Sequence, residues 1–376
     1  MTTLSVAVIG AGVVGLSSAI NIQKLIPRVM VTIIADSFGR DTSSPVDPGI
    51  FLPIPSKMIM DQVLVRFVTM ISTFCNCIYF LHQSPLSITA DLREWLIDSW
   101  KHHFEKANSS EGKLSGQTFM YGHCLWSTPY TTDYILPTLV LDYKNLSKEE
   151  ILQLGSNHGF GARFKTVVVN RETYLPALMK EFRMLGGKVV FDTVYSVQEL
   201  YGKYDIVVNC TGNRARTFLH DPHMYPVKCH AIQVMHEWTK EFLITEDNIS
   251  VIPDAETNVV DVGFYAEPDE YTADVDQEII ALMYNKIKSF VPHLVGAEVI
   301  RKWAARKPHR EPPLVEIEMA RCYGGPVLPV VHIVALGTST YSLAWGAGCH
   351  AAHLVQDIGR MIKPFAWVWR PFMMLG

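Results

Sequence analysis

Three observations predict an α/β fold class for this 376-residue chain. Apolar, strand-like runs alternate with helical stretches near the start, the middle and the end of the chain. The first such run enters a glycine-rich turn, Ile9-Gly10-Ala11-Gly12-Val13-Val14-Gly15. Residues between these units alternate apolar and polar, as in 225–265, with the period of two that suits antiparallel sheet. Together they predict a Rossmann-like nucleotide-binding domain built from discontinuous segments, with a mixed-sheet substrate domain inserted.

The elements follow in order. Residues 4–10 form a buried strand, LSSAINIQKL (16–25) a helix and VTIIAD (31–36) a second buried strand. That unit has the size a parallel crossover needs. SFGRDTSSPVDPGIFLPIPSK (37–57) is rich in Pro, Gly and Ser and reads as loop. Residues 60–105 look helical with many aromatics, and 106–165 are polar and mixed. RETYLPALMKEFRMLGG (171–187) is a helix that Gly186 and Gly187 stop. KVVFDTVYSV (188–197) follows as a strand. YDIVVNCTG (204–212) is a short buried strand ending in a turn of small residues. DVDQEIIALMYNKIKSF (274–290) is a helix, and HIVALGTSTYSLAWGAG (332–348) leads into a last helix, CHAAHLVQDIGRMI (349–362). The nucleotide domain is assigned to 1–50, 165–215 and 300–376, and the substrate domain to 51–164 and 216–299.

Composition narrows the partners. The chain is 48% hydrophobic and 19% charged, with a net charge of −4. No broad basic face advertises nucleic acid. The 7 cysteines (Cys75, Cys77, Cys124, Cys210, Cys229, Cys322, Cys349) include no CxxC pair and are odd in number, which suits a reducing, intracellular compartment. The N-terminus carries no basic leader. The most apolar run, 67–81, has 15 residues, too few to span a bilayer, so no stable membrane insertion is expected. His102-His103 and the other histidines lack ligand spacing, and no metal is expected.

Gly10, Gly12 and Gly15 fit G-x-G-x-x-G. Gly10 permits the tight turn, Gly12 lets backbone approach a diphosphate, and Gly15 lets helix and strand pack closely. The diphosphate then meets free N–H groups at the helix N-terminus. Asp36 ends the second strand, where a carboxylate accepts hydrogen bonds from ribose hydroxyls. The glycines do not separate NAD from FAD. Asn209-Cys210-Thr211-Gly212 and the late turn 337–346 supply second and third contacts, and three segments closing on one extended ligand suit FAD.

On these residues the chain resembles the D-amino-acid oxidase family, most of all its D-aspartate oxidase branch. IGAGVVGLSSAINIQKLIPRVMVTIIADSFGRDTSS, VVNCTG, YPVKCHAIQV and LPVVH…WG carry the resemblance, which covers most of the chain and is weakest over 51–165. It implies an FAD domain joined to a sheet-based substrate domain. It also implies hydride transfer from the α-carbon of a D-amino acid to flavin, with dioxygen reoxidising the flavin. The expected products are a 2-oxo acid, ammonia and hydrogen peroxide. Family members are often peroxisomal; the C-terminal Met374-Leu375-Gly376 is not an S-K-L address, which leaves peroxisome and cytoplasm open.

The flavin-contacting set expected from motif and resemblance is Gly10, Gly12, Val13, Val14, Gly15, Asp36, Ser37, Ser43, Ser44, Gly49, Ile50, Val194, Thr211, Gly212, Gly337 and Tyr341. Pro45 and Pro48 depart from the family pattern beside the hydroxyls of Ser43 and Ser44. The substrate side departs further. The family grips the substrate carboxylate with an arginine in a segment like L-R-P-Y-R-P, and the gapless match, Arg306-Lys307-Pro308-His309-Arg310-Glu311, puts Lys307 there. A shift of one residue puts Arg306 there instead. Ser250 stands where the family has a lid tyrosine, and Tyr265 is the nearest match to an arginine that meets a side-chain carboxylate in the acidic-substrate branch. The family's H-Y-G-H-G-S-G-G reads Ile333 to Thr340 here, with one glycine, Gly337, remaining. Three readings follow: an active FAD oxidase of D-amino acids, acidic ones by default; an FAD-binding paralogue with weakened or altered catalysis; and a non-catalytic binding protein.

Overall fold

The computed structural model describes residues 3–46, 49–52, 90–128, 135–219, 221–237, 239–246, 249–254, 256–268, 271–272, 274–321 and 327–364. Asp47, Pro48 and the apolar run 67–81 lie outside them, as does the expected helix at 60–105 up to residue 89. Among the described residues thirteen strands form one sheet. In chain order they are β1 (Ser5–Ala11), β2 (Met30–Phe38), β3 (Gln117–Trp126), β4 (Leu141–Asn145), β5 (Phe160–Val169), β6 (Lys188–Phe191), β7 (Ile206–Asn209), β8 (Tyr225–Met235), β9 (Phe242–Thr245), β10 (Ile249–Pro253), β11 (Val259–Pro268), β12 (Glu298–Arg321) and β13 (Val327–Leu336). The longer helices are α1 (Val13–Leu25), α2 (Ala90–Ala107), α3 (Arg171–Met184), α4 (Gln277–Phe290) and α5 (Thr340–Ile362).

The sheet order is β4-β5-β3-β9-β10-β11-β8-β12-β13-β7-β1-β2-β6. Its end from β13 to β6 is parallel throughout. Val6, Val8, Ile33, Ile206, Val208 and Val331 are fully buried there in one cluster with apolar residues of α1, α3 and α5, and β-branched residues suit such strands. The other end is antiparallel except for β3 beside β9. β12 joins the two: residues 298–309 pair with β8, and 309–321 with β13.

Three sequence expectations are corrected. The last helix starts at Thr340, nine residues before the expected Cys349. The glycines that suggested a turn serve close helix packing instead. A Cβ on Gly346 would stand 2.1 Å from the Trp95 carbonyl oxygen on α2, and one on Gly348 would stand 3.0 Å from Ser17 backbone on α1. The strand after Gly187 ends at Phe191. The stretch read as polar and mixed, 106–165, contains all of β3 and β4 and the start of β5, and β5 pairs antiparallel with both. Helix α3 does stop as expected, with Gly186 at φ 86 just beyond it. Asp276 caps α4 through its carboxylate, accepting from the N–H groups of Glu278 and Ile279.

One ion-paired carboxylate ties the chain's ends together. Asp205 accepts from the backbone N–H and hydroxyl of Ser5, both at 2.7 Å, and from Lys363 Nζ at 2.6 Å. Burial pushes its pKa up, but these hydrogen bonds and the Lys363 charge pull it further down, so it lies below the ordinary 3.8. A carboxyl whose folded pKa is depressed stabilises fully above its unfolded pKa, and that contribution disappears as pH falls through the folded value. Asp205→Asn is therefore expected to lower Tm at neutral pH, with the gap to wild type closing below pH 3.8, as read by thermal unfolding across pH. Gly346→Ala is expected to cost about 1–3 kcal/mol through overpacking at α2, seen as a lower denaturation midpoint.

Candidate active site

The C-terminal ends of β1, β2, β7 and β13 converge on a cleft of about 280 Å³, where ligands of open parallel sheets bind. Its floor is the glycine turn. Gly10 has φ 105, and a Cβ on it would stand 2.4 Å from the Cys210 carbonyl oxygen. A Cβ on Gly15 would stand 2.0 Å from the Gly10 carbonyl oxygen, so α1 packs directly on β1. The donors and cradle fit a dinucleotide diphosphate: a helix N-terminus opens on the cleft behind side-chain-free backbone at Gly12.

The hydroxyl-bearing loop closes over this turn. Ser44 Oγ accepts from the Val13 N–H at 3.0 Å, while Ser43 and Ser44 both line the cleft. Tyr341 is buried behind them, and its hydroxyl donates to the Ser44 carbonyl at 3.2 Å. His103 Nε2 on α2 donates in turn to the Tyr341 carbonyl at 2.9 Å. The loop that closes over the glycine turn is thus held from α5 and α2.

At the outer end Asp36 Oδ2 receives Arg214 Nη1 at 2.6 Å and Thr193 Oγ1 at 3.3 Å, and Oδ1 receives the Ser37 hydroxyl at 3.0 Å. Burial alone raises the Asp36 pKa, but the bonds from Ser37 and Arg214 and the Arg214 charge bring it below the usual carboxylate value. Asp36 is therefore an anion, as a ribose acceptor must be.

At the inner end β12 sorts the two candidate cations by strand alternation. Lys307 is 2% exposed and lines the cleft with Pro308 and Gly337. Arg306 is exposed at the rim, its Nη1 donating to the Tyr271 carbonyl at 2.9 Å. Asn213 Nδ2 donates to the Arg306 carbonyl at 2.6 Å, tying β12 to the turn after β7. Arg310 is committed to Asp221, its Nε 2.6 Å from Oδ2. Burial raises the Asp221 pKa, yet the Arg310 bond brings it below its usual value.

Of the expected contacts, Gly10, Gly12, Val14, Asp36, Ser37, Ser43, Ser44, Val194, Thr211, Gly212 and Gly337 line this one cleft, with Arg306 and Lys307. Val13, Gly15, Gly49, Ile50 and Tyr341 support it from behind. Gly49 packs against Val169, whose N–H donates to the Gly49 carbonyl at 2.7 Å, and Ile50 bridges Val168. Ser250 is outside the lining, on β10 opposite Gly263, and Tyr265 lies on β11 at the position opposite Cys229. Sequence reasoning missed Arg214, Thr193 and Ala335. Arg214 was legible as the first cation after the Asn-Cys-Thr-Gly turn; Ala335 was not, since nothing in its residue type announces its φ of 59. Among the described residues no group of three or more His, Cys, Asp or Glu is placed to hold a metal ion, and no helix is long and apolar enough to cross a membrane.

A family model described as "DAO: FAD dependent oxidoreductase" matches residues 5–354. The chain is 29% identical over 358 residues to D-aspartate oxidase of Homo sapiens, covering 95% of this chain and 96% of that one. It is 23% identical over 362 residues to D-amino acid oxidase of Dugesia ryukyuensis, with 94% and 98% covered. Among solved structures it is similar to glycine oxidase from Geobacillus kaustophilus, with TM-score 0.69 at 16% identity over 98% of this chain and 100% of that one. It is likewise similar to L-proline dehydrogenase from P. horikoshii, with TM-score 0.64 at 14% identity and 94% of each chain covered.

Asp36→Ala removes a carboxylate placed to accept from ribose hydroxyls, together with the ion-pair partner of Arg214. It is expected to weaken FAD binding about 10- to 100-fold, the usual worth of hydrogen bonds to a charged group, measured by quenching of flavin fluorescence.

Proposed function

We propose, from the premise that this chain belongs to the family of FAD-dependent oxidoreductases, that it is an oxidase of D-amino acids, acidic ones first. FAD is the family's cofactor, and the cleft from Asp36 to Lys307 has the donors for it. The observation that carries the substrate reading is Lys307, a buried cation at the inner end of a dinucleotide cleft. The coverage of D-aspartate oxidase over nearly the full chain supports the acidic preference.

In this reading Asp36 takes the ribose hydroxyls and the N-terminus of α1, behind Gly12, takes the diphosphate. When bound, the flavin supplies a two-electron acceptor for the α-hydrogen as hydride and passes those electrons to dioxygen, giving peroxide. Lys307 holds the substrate α-carboxylate by a charge-assisted hydrogen bond in a water-poor setting, where such bonds are strong. The imino acid released hydrolyses to a 2-oxo acid and ammonia. The mixed end of the sheet forms the substrate domain and the parallel end the FAD domain. The peroxide formed suits a peroxisomal setting, the compartment the resemblance implies.

Lysine is a point charge where the family carries a planar fork, so it positions a carboxylate less strictly. This favours a slower oxidase over one at the family's full rate.

Purified protein is expected to show visible flavin absorption and to release peroxide with D-amino acids and not with their L-isomers. A colourless protein that takes up no added FAD would overturn the reading. Lys307→Ala is expected to raise KM about 10- to 100-fold, and Lys307→Arg to keep or improve it. Unchanged kinetics in Lys307→Ala would remove that residue from the site.

A further inference from the structure

Two buried side chains stand behind the turn that follows β7, and the oxidase reading uses neither. Asn209 closes β7, and His332 pairs with it from β13; both are buried. Asn209 Oδ1 accepts from the Thr211 N–H at 3.2 Å and from the Thr211 hydroxyl at 2.7 Å. A backbone N–H only donates, so the amide oxygen faces Thr211 and Nδ2 faces the other way. Nδ2 lies 2.9 Å from His332 Nδ1. An amide nitrogen also only donates, so Nδ1 is the acceptor and the ring carries its hydrogen on Nε2. Nε2 stands 2.9 Å from Glu318 Oε2 on β12, which accepts that hydrogen. Donors and acceptors therefore match along the whole chain Glu318–His332–Asn209–Thr211, and they match only while the ring is neutral.

What this chain holds is a wall of the cleft. Thr211, Gly212, Asn213 and Arg214 all line it. Asn213 ties the turn to the Arg306 carbonyl at the inner end, and Arg214 ties it to Asp36 at the outer end. A proton on Nδ1 would set one N–H against the Asn209 amide nitrogen. Turning the amide over cures that contact and makes another, because Nδ2 then faces the Thr211 N–H. In either orientation a buried donor loses its acceptor.

Two carboxylates of β12 face the ring. Glu316 is its cross-strand partner, and Glu318 accepts from it; β7 presents the uncharged Asn209. By alternation the same face carries Val207, Ala320 and Val330, which cluster with Val194, Val197 and Leu200, so the layer over that part of the face is apolar. Burial lowers the His332 pKa; the Glu318 bond and the charges of Glu318 and Glu316 raise it in part, and it stays below the ordinary 6.5. The ring is neutral at physiological pH.

We infer that His332 is a positioning residue for the cofactor: the neutral ring locks Asn209 in the orientation that anchors the Thr211 turn, and a proton on the ring releases that turn and weakens FAD binding. The inference rests on this cleft being the FAD site. FAD binds the neutral-ring form, so its affinity is full above 6.5 and falls as pH drops through the pKa of the ring.

The test titrates FAD into the full-length protein freed of flavin and reads Kd from quenching of flavin fluorescence. In wild type, Kd is expected to rise about 3-fold or more between about pH 7.5 and about pH 5. His332→Asn puts an acceptor near the place of Nδ1 and does not titrate. It is expected to stay within about 3-fold of wild type at neutral pH and to lose the acid rise. His332→Leu is expected to raise Kd about 10-fold at neutral pH, because Asn209 loses its partner. Glu318→Gln, at a half-exposed site, keeps an acceptor and removes the charge that favours the protonated ring. It is expected to move the acid rise to lower pH. A wild-type Kd that is flat with pH would overturn the inference and leave FAD binding standing. So would an acid rise that persists in His332→Asn, or one that Glu318→Gln leaves in place or moves to higher pH. A wild-type protein that takes up no FAD at neutral pH would remove the oxidase reading and the inference together.

Discussion

Everything in this cleft depends on one steric fact: three backbones meet where β1, α1 and the end of β7 cross, and no side chain fits between them. Gly15 lies against the Gly10 carbonyl, and Gly10 against the Cys210 carbonyl, each closer than a Cβ permits. The approach brings the first turn of α1 to the sheet edge, where its N–H groups face the cleft. One of them, Val13 N–H, takes the Ser44 hydroxyl, which orders the loop after β2 over the same spot. Tyr341 then holds Ser44, and His103 holds Tyr341, so two further helices are positioned by that first contact. Any side chain larger than hydrogen at the crossing would undo the order from the inside outward.

The second constraint is β12. A strand of 24 residues that pairs with the antiparallel end over its first half and the parallel end over its second places Lys307 and His309 where the two regimes meet. Pro308 pairs with Pro226, and neither has an N–H to give, so the strands cross that point without a ladder bond between those two residues. The register shifts between His309 and Leu314, opposite Ala335 on β13, and spans Pro312 and Pro313. Such bulges re-aim side chains beside binding sites. A substrate placed here is gripped by the sheet itself and not by a loop, which favours precise orientation over adaptability.

These features were unevenly legible. The glycine turn, Asp36 and the β7 turn are local patterns whose physics is complete within a few residues, so the sequence displays them. β12 was hidden because three prolines argue against a strand, and only its neighbours reveal that the missing donors fall at a crossing and a bulge. The start of α5 was hidden because Gly346 and Gly348 look like turn residues until α2 and α1 are seen against them. The gapless match favours Lys307 over Arg306 one position away; what the letters do not show is that strand alternation buries Lys307 and exposes Arg306.

The departures from the family pattern then take on a physical order. Where the resembling segment has a glycine, this chain has Ala335, yet the backbone keeps φ 59 there, beside Gly337 at φ 63. A left-handed conformation costs an ordinary residue about 1–2 kcal/mol. It persists where the surroundings over-determine it. Here pairing of β13 with β12 and β7 brackets the position, and the bulge faces it. So losing that glycine does not mean losing the shape of the backbone; what changes is that a methyl group now stands at the cleft wall. Exchanging a forked guanidinium for an ammonium is a loss of another kind, because it removes direction and leaves charge.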